Sequence, residues 1–301
     1  MTNQHGADAA TKRAVPGAGS MDLVVSTEWL AQHLADADLV VLDCTVLFAT
    51  TPEGEMRRVS GRAAYAEGHL PGAGFADLID DLSDTASPLS FAVPAAEALC
   101  AAFGRLGIGD DSCVVLYDST IAAWAARVWW MLRAVGFDRA AVLDGGLRAW
   151  VAEGRELSTA AYEPQVRDLT PRKRPRLMAD LQEVKAAVSD DAVLLVDTLS
   201  AGHFDGSSPM YSRPGHIPGA VNASAIDLID GTGRFRPLEE LATMHPFDPE
   251  QRTITYCGGG IAASSSALTL TRLGFTDVAV YTASLQEWAA DPRNPLTTDV
   301  G

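Results

Sequence analysis

The chain has 301 residues, an apolar share of 47% and a formal charge of −16 at pH 7. That length suits two domains of ordinary size, and the apolar content fills their cores without metal or disulfide. The charge excludes nucleic acid and anionic membrane as partners, because its long-range field repels phosphate.

Residues 1–20 are small and polar with no apolar core, so they read as a disordered lead-in and not as a signal peptide. From residue 21 the pattern alternates short apolar runs with amphipathic stretches. Leu39-Val-Val-Leu-Asp43 is a buried strand, and Gly68-His-Leu-Pro-Gly-Ala73 is a turn in which Pro fixes φ and Gly permits the bend. His69 ties that turn down through a ring N–H, which makes it structural. Cys113-Val-Val-Leu-Tyr117 is a second strand, followed by a helix over 122–135. Tyr65, Arg127, Trp129 and Trp150 fall at core or cleft positions that periodicity does not separate. This first unit spans 21–156. Residues 157–176, rich in Pro, Arg and Thr, form a linker, and the basic cluster Arg172-Lys-Arg-Pro-Arg176 is its solvated part.

The second unit, 177–301, repeats the first. Val193-Leu-Leu-Val-Asp197 answers to Leu39–Asp43, and Gly215-His-Ile-Pro-Gly-Ala220 answers to Gly68–Ala73, with His216 again structural. Gly136 and Gly274 lie as far apart along the chain as Trp150 and Trp288, so register is kept to the end of each copy. Alternation of this kind implies α/β architecture in both copies, each a mostly parallel sheet flanked by helices. The four cysteines, Cys44, Cys100, Cys113 and Cys257, are scattered without metal-ligand or C-x-x-C spacing. The first three take core positions by default. Such usage suits a reducing, cytoplasmic setting.

Cys257 is the candidate nucleophile. It follows a strand over 253–256, precedes three glycines, and a helix over 262–272 comes next. Glycines without Cβ atoms let backbone N–H groups turn inward, and the helix dipole adds positive charge at the same place. Both favour thiolate over thiol, and thiolate is the reactive form. The amides of Gly258, Gly259, Gly260, Ile261 and Ala262 form a candidate anion cradle. The alternative is a buried strand-end cysteine packed as a small hydrophobe, although packing does not account for three successive glycines. Ser264 to Ser266 read as the first helical turn, capping free N–H groups.

The paired Gly-His-x-Pro-Gly-Ala segments resemble the rhodanese superfamily in its two-domain sulfurtransferase form. So do Ala126-Arg-Val-Trp-Trp-Met-Leu-Arg133, Val142-Leu-Asp-Gly-Gly-Leu147 and the loop Cys257-Gly-Gly-Gly-Ile-Ala262. The resemblance covers about residues 23–296. It implies two rhodanese-like domains with a chemically silent first copy, in which Asp118 stands where a nucleophile would. It also implies a persulfide on Cys257, loaded from a small-molecule sulfur donor and unloaded by cyanide or a thiol. That thiol is either a small molecule or a thioredoxin-like protein. No cofactor or metal is required.

The loop departs from the family pattern in three ways. No cation lies within 258–262, and the hydroxyls of the mercaptopyruvate-preferring form are replaced by Gly259 and Ala262. Asp80 falls near a family acid of a proposed proton relay, whose histidine partner is Phe91 here. The donor-binding arginine is replaced by His203, and Arg213 either supplies the missing charge or is a surface residue. Ala283-Ser-Leu285 replaces a Gly-Ser-Trp and predicts an altered pocket wall. These departures predict a less cationic pocket, weak on thiosulfate.

Three rivals are weighed. Phosphate hydrolysis needs a clamping Arg at the end of the loop, and no cation occurs between Cys257 and Arg272. Nucleotide binding needs Gly-Lys-Ser/Thr, and Ile261-Ala262 stands there instead. A carrier that holds sulfur without turnover stays open.

Overall fold

The computed structural model describes residues 21–208, 211 and 213–298. The lead-in expected over 1–20 lies outside the described residues. The first copy runs β1 (Val24–Val25), α1 (Thr27–His33), β2 (Leu39–Asp43), β3 (Val46–Thr50), β4 (Met56–Ser60) and α2 (Arg62–Glu67). It continues with β5 (Gly74–Phe75), α3 (Ala96–Arg105), β6 (Cys113–Tyr117), α4 (Ala123–Ala134), β7 (Ala140–Leu143) and α5 (Gly146–Ala152). The second runs β8 (Met178–Ala179), α6 (Leu181–Ala187), β9 (Val193–Asp197), α7 (Ala201–Asp205) and β10 (Val221–Asn222). There follow α8 (Leu238–Met244), β11 (Arg252–Tyr256), α9 (Ile261–Arg272), β12 (Val278–Tyr281) and α10 (Ser284–Trp288).

Each copy holds a five-stranded parallel sheet, in the order β1-β7-β6-β2-β5 and, equivalently, β8-β12-β11-β9-β10. The central strands are β-branched and aliphatic because helices cover both faces. The repeat extends to side chains. Tyr117 accepts from the Leu70 N–H at 3.2 Å and Tyr256 from the Ile217 N–H at 3.0 Å. The indoles of Trp150 and Trp288 donate to the Glu156 and Pro295 carbonyls at 2.9 and 2.8 Å.

Both turn histidines are buried. His69 stacks on Tyr65 and contacts the Tyr65 and Ala160 carbonyls, while His216 stacks on Phe204 and contacts the Phe204 carbonyl.

Three features depart from expectation. The antiparallel hairpin β3–β4 is an addition to the first copy, and the second has no counterpart among the described residues. Residues 157–176 do not hang free. Their backbone pairs with the first copy through Arg167 to Gly104, Arg172 to Val135 and Arg174 to Ala134, and Leu169 is buried. The basic cluster pairs with acids: Arg172 with Asp110, Lys173 with Glu97, Arg174 with Asp138 and Arg176 with Asp277. Cys44 and Cys100 are core residues, but Cys113 is only half-buried and its sulfur accepts from Arg139 at 2.9 Å.

Helices α4 and α9 pack against each other and join the two copies. The small residues Ser264, Ser265 and Ser266 of α9 are buried and permit that approach. They do not cap the helix as expected: the Ser264 hydroxyl donates back to the Gly260 carbonyl at 2.7 Å, and the Ser265 and Ser266 hydroxyls have no partner among the described residues.

Candidate active site

Cys257 follows β11 directly and lies on the floor of a cavity of about 400 Å³ between the two copies. Its side chain is 3% exposed, so reagents reach it only through that cavity. The Gly260 N–H donates to Sγ at 3.1 Å, and no side chain caps the N-terminus of α9. The uncapped start of α9 therefore lies at the sulfur.

Gly260 makes this geometry available. It sits at φ +79°, in the left-handed region, and an added Cβ would lie 2.6 Å from the Thr282 carbonyl oxygen. The loop is also fixed from behind. Cys257 N–H donates to the Ser284 hydroxyl at 3.1 Å, its carbonyl accepts from Leu285 N–H at 3.0 Å, and the Gly258 carbonyl accepts from Gln286 N–H at 3.0 Å and Tyr211 hydroxyl at 2.7 Å. Burial pushes the Tyr211 hydroxyl up to about 12, with the Cys257 charge adding to the rise and Arg58 opposing it.

The first copy shows what such a loop holds. Asp118, the counterpart of Cys257, accepts from the N–H groups of Thr120, Ala122, Trp124 and Ala125 and from the Thr120 hydroxyl, at 2.8–3.2 Å. A carboxylate thus fills the amide cradle of the first copy. Its loop is one residue longer, and Ala122 takes the left-handed φ of 62° where the second copy has Gly260.

The first copy also supplies cations. Arg127, on α4, is fully buried; its Nη2 donates to the Phe91 carbonyl at 2.9 Å, while Nε and Nη1 have no partner among the described residues. Nη1 would lie 3.0 Å from a Cβ on Gly260, so the guanidinium backs the loop. Burial lowers Arg127 to about 10, and the Cys257 charge pulls it the other way, so Arg127 remains a cation at neutral pH. Arg58, on β4, lines the cavity and lies 5.8 Å from both the Phe48 and Phe91 ring centres. The remaining wall is mostly apolar and includes Phe48, Phe91, Ile121, Trp124 and Leu199.

Several expected site residues lie elsewhere. Arg213 does not face the cavity: its guanidinium donates to the Asp291 and Asn294 carbonyls at 2.9 and 2.7 Å and ties down the C-terminal loop. His203 pairs with the Ser200 hydroxyl at 2.6 Å within α7 and lines no part of the cavity. Asp80 lines an adjoining groove, which shares Phe48, Arg58, Ser90 and Phe91 with the cavity but does not reach Cys257. Ala283 to Leu285 do not line the cavity either, since Leu285 turns into the core and Gln286 takes the wall. Gly258, Gly259, Ile261 and Ala262 do line it. Sequence reasoning missed Arg58 altogether and left Arg127 undecided between core and cleft. An arginine within the apolar run Ala125–Leu132 was the available signal for the latter, since an unpaired buried charge is costly.

Two regular parallel sheets, with a cysteine at a glycine-rich strand end in one copy and an aspartate at the matching place in the other, define a two-domain α/β protein. The Rhodanese-like domain model matches residues 26–153 and 180–291, and the chain belongs to that family, in its two-domain sulfurtransferase form. The chain is 34% identical over 302 residues to Thiosulfate/3-mercaptopyruvate sulfurtransferase 2 of Arabidopsis thaliana, covering 91% of this chain and 86% of that protein. It is 32% identical to 3-mercaptopyruvate sulfurtransferase of Homo sapiens, over 88% and 91% of the two chains. The crystal structure of SseA from Escherichia coli, described with the rhodanese fold and mechanism of 3-mercaptopyruvate sulfotransferases, aligns with a TM-score of 0.77. That alignment has 27% identity and covers 88% of this chain and 99% of SseA.

Proposed function

We propose that the protein moves a sulfur atom from a small donor to a thiol or cyanide through a persulfide on Cys257. The observation that carries this reading is the Gly260 N–H at 3.1 Å from Sγ, on the floor of a cavity open to small molecules. Cys257 thiolate attacks the donor's transferable sulfur, a sulfur–sulfur bond forms, and the donor's leaving group departs with the electron pair. The persulfide's negative charge sits where the loop amides converge, with the Arg127 cation behind them. Thiolate or cyanide then attacks the outer sulfur and Cys257 leaves as thiolate.

The Asp118 carboxylate held by five donors in the duplicate loop supports the cradle reading directly, because it is an anion in the same place. The first copy carries no nucleophile at that position, yet it builds half of the cavity wall and brings both arginines. Gly258, Gly259, Ile261 and Ala262 complete the cradle around the transferred sulfur.

The acceptor is a small thiol or a thioredoxin-like protein thiol. A reducing cytoplasmic setting agrees with four cysteines that are all free thiols. Among the described residues no helix is long and apolar enough to cross a membrane.

Intact-protein mass spectrometry before and after donor exposure tests the reading. One sulfur atom is expected on the native chain and none on Cys257→Ser. Sulfur on the variant, or none on the native chain with any donor, overturns it. Repeated turnover with cyanide separates an enzyme from a stoichiometric carrier.

A further inference from the structure

Three carbonyls of the Cys257 loop are held by donors of the protein. The Cys257 carbonyl accepts from the Leu285 N–H, and the Gly260 carbonyl accepts from the Ser264 hydroxyl at 2.7 Å. The Gly258 carbonyl has two donors, the Gln286 N–H at 3.0 Å and the Tyr211 hydroxyl at 2.7 Å, so both of its lone pairs are engaged. A trans peptide is planar, so holding that oxygen also fixes the Gly259 N–H on the opposite side.

The Gly258–Gly259 peptide is where such a hold matters. Glycine on both sides leaves it free to turn over, since neither residue has a Cβ to oppose a change of φ or ψ. Gly260, by contrast, is confined in the left-handed region against Thr282. Turned over, the Gly258 carbonyl would leave both donors and aim its partial negative charge away from them, along a wall that Gly258 and Gly259 share with Cys257.

Tyr211 comes from the stretch between α7 and the Gly215-His-Ile-Pro-Gly turn, which the first copy lacks because its turn begins directly after α2. The Tyr211 ring packs against the second copy's core, and burial together with the Cys257 charge keeps its hydroxyl a donor. The first copy has no such clamp. Its Ser119 carbonyl, which follows Asp118 as Gly258 follows Cys257, accepts no hydrogen bond among the described residues.

On the reading that Cys257 carries a persulfide, we propose that Tyr211 is a positioning residue for sulfur transfer. Its hydroxyl holds the Gly258–Gly259 peptide in the orientation that keeps the Gly258 carbonyl off the transferred, negatively charged sulfur. It touches neither donor nor acceptor and gives up no proton.

The test combines Tyr211→Phe, which keeps the ring and removes the hydroxyl, with Gly259→Ala. Gly259 lies outside the left-handed region, and its added methyl meets the amide end of the Gln286 side chain at 3.2 Å. Turning the peptide over would drive that alanine to positive φ, which L-residues resist. Intact mass reads sulfur on Cys257, and kcat and KM are measured with thiosulfate and 3-mercaptopyruvate as donors and cyanide as acceptor. Tyr211→Phe should lower kcat about fivefold, the worth of one hydrogen bond, with KM for the donor unchanged. In the Gly259→Ala background the same change should cost less than about twofold, because the alanine itself opposes the turned-over state. An equal penalty in both backgrounds, no penalty in either, or a rise in KM alone overturns the positioning role while the persulfide stands. If the native chain takes sulfur from neither donor, the persulfide reading fails and the proposal falls with it.

Discussion

Ser90 and Gln286 lie 196 positions apart in the chain and exchange two hydrogen bonds of 3.0 Å at the rim of the Cys257 cavity. The Gln286 amide thereby joins the first copy to the loop whose Gly258 carbonyl its own N–H holds. Gln286→Ala removes both side-chain bonds, each worth about 1 kcal/mol or less at an exposed edge. The cavity mouth should widen. Alkylation of Cys257 by a bulky maleimide should accelerate several-fold relative to iodoacetamide; an unchanged ratio would show that the clasp does not control access.

Arg127 acts on Cys257 from the other copy. Replacing it with Met removes a buried cation from behind the loop while keeping most of the side-chain volume. Iodoacetamide labelling of Cys257 at pH 7 should slow on the order of tenfold, the effect of losing a nearby opposite charge. Arg127→Lys should recover part of that rate. Labelling followed by mass spectrometry reads both, and equal rates in all three proteins would remove Arg127 from the site.

Gly260 should tolerate no side chain. Gly260→Ala puts a Cβ against the Thr282 carbonyl oxygen and Cα, at 2.6 and 2.9 Å, in a left-handed conformation. A cost of about 1–3 kcal/mol is expected, together with loss of persulfide formation because the N–H moves off Sγ. Chemical denaturation and the sulfur-loading assay measure the two effects separately.

Asp118 should matter structurally. Asp118→Ala leaves four buried or half-buried amides without their acceptor, and about 3 kcal/mol or more of stability should be lost. Asp118→Asn keeps one acceptor oxygen and should lose less. Urea unfolding of both variants decides this.

Burial pushes Asp197 up to about 6, against the Leu199 N–H, the Tyr256 hydroxyl and His216, which pull it down. The folded chain therefore holds a proton that the unfolded chain releases near pH 4. The stability this group contributes is full below that pH and is lost as pH rises through 6, by about 2–3 kcal/mol. Asp197→Asn keeps an acceptor for Leu199 and should be more stable than the native chain at pH 7.5, with a smaller fall between pH 5 and 7.5. Asp43, raised to about 6 by the same cause, should retain its share of the fall. Thermal melts at the two pH values provide the check.

The strands, the duplication and the strand-end position of Cys257 were legible because they rest on local patterns: short continuous apolar runs, paired turn motifs and three glycines before a helix. Arg58 was not. Its role depends on a hairpin, β3–β4, that the repeat does not announce, and it lines the Cys257 cavity only after the two copies dock. Arg127 was visible as a charge in an apolar run, but α9 had to be placed against α4 before its target appeared. Arg213 stayed open between pocket and surface for a related reason. A guanidinium near a family motif is ambiguous until the carbonyls it meets are known, and here those belong to Asp291 and Asn294.

The extra residue in the Asp118 loop means that a single exchange at position 118 would not reproduce the Cys257 site in the first copy. A sulfur at position 118 would sit one step farther from the helix start, with Ala122 in place of the glycine whose amide engages Cys257. The face where its own substrate would dock is already occupied as the ceiling over its sibling. The two halves have become one catalyst, and neither is a spare for the other.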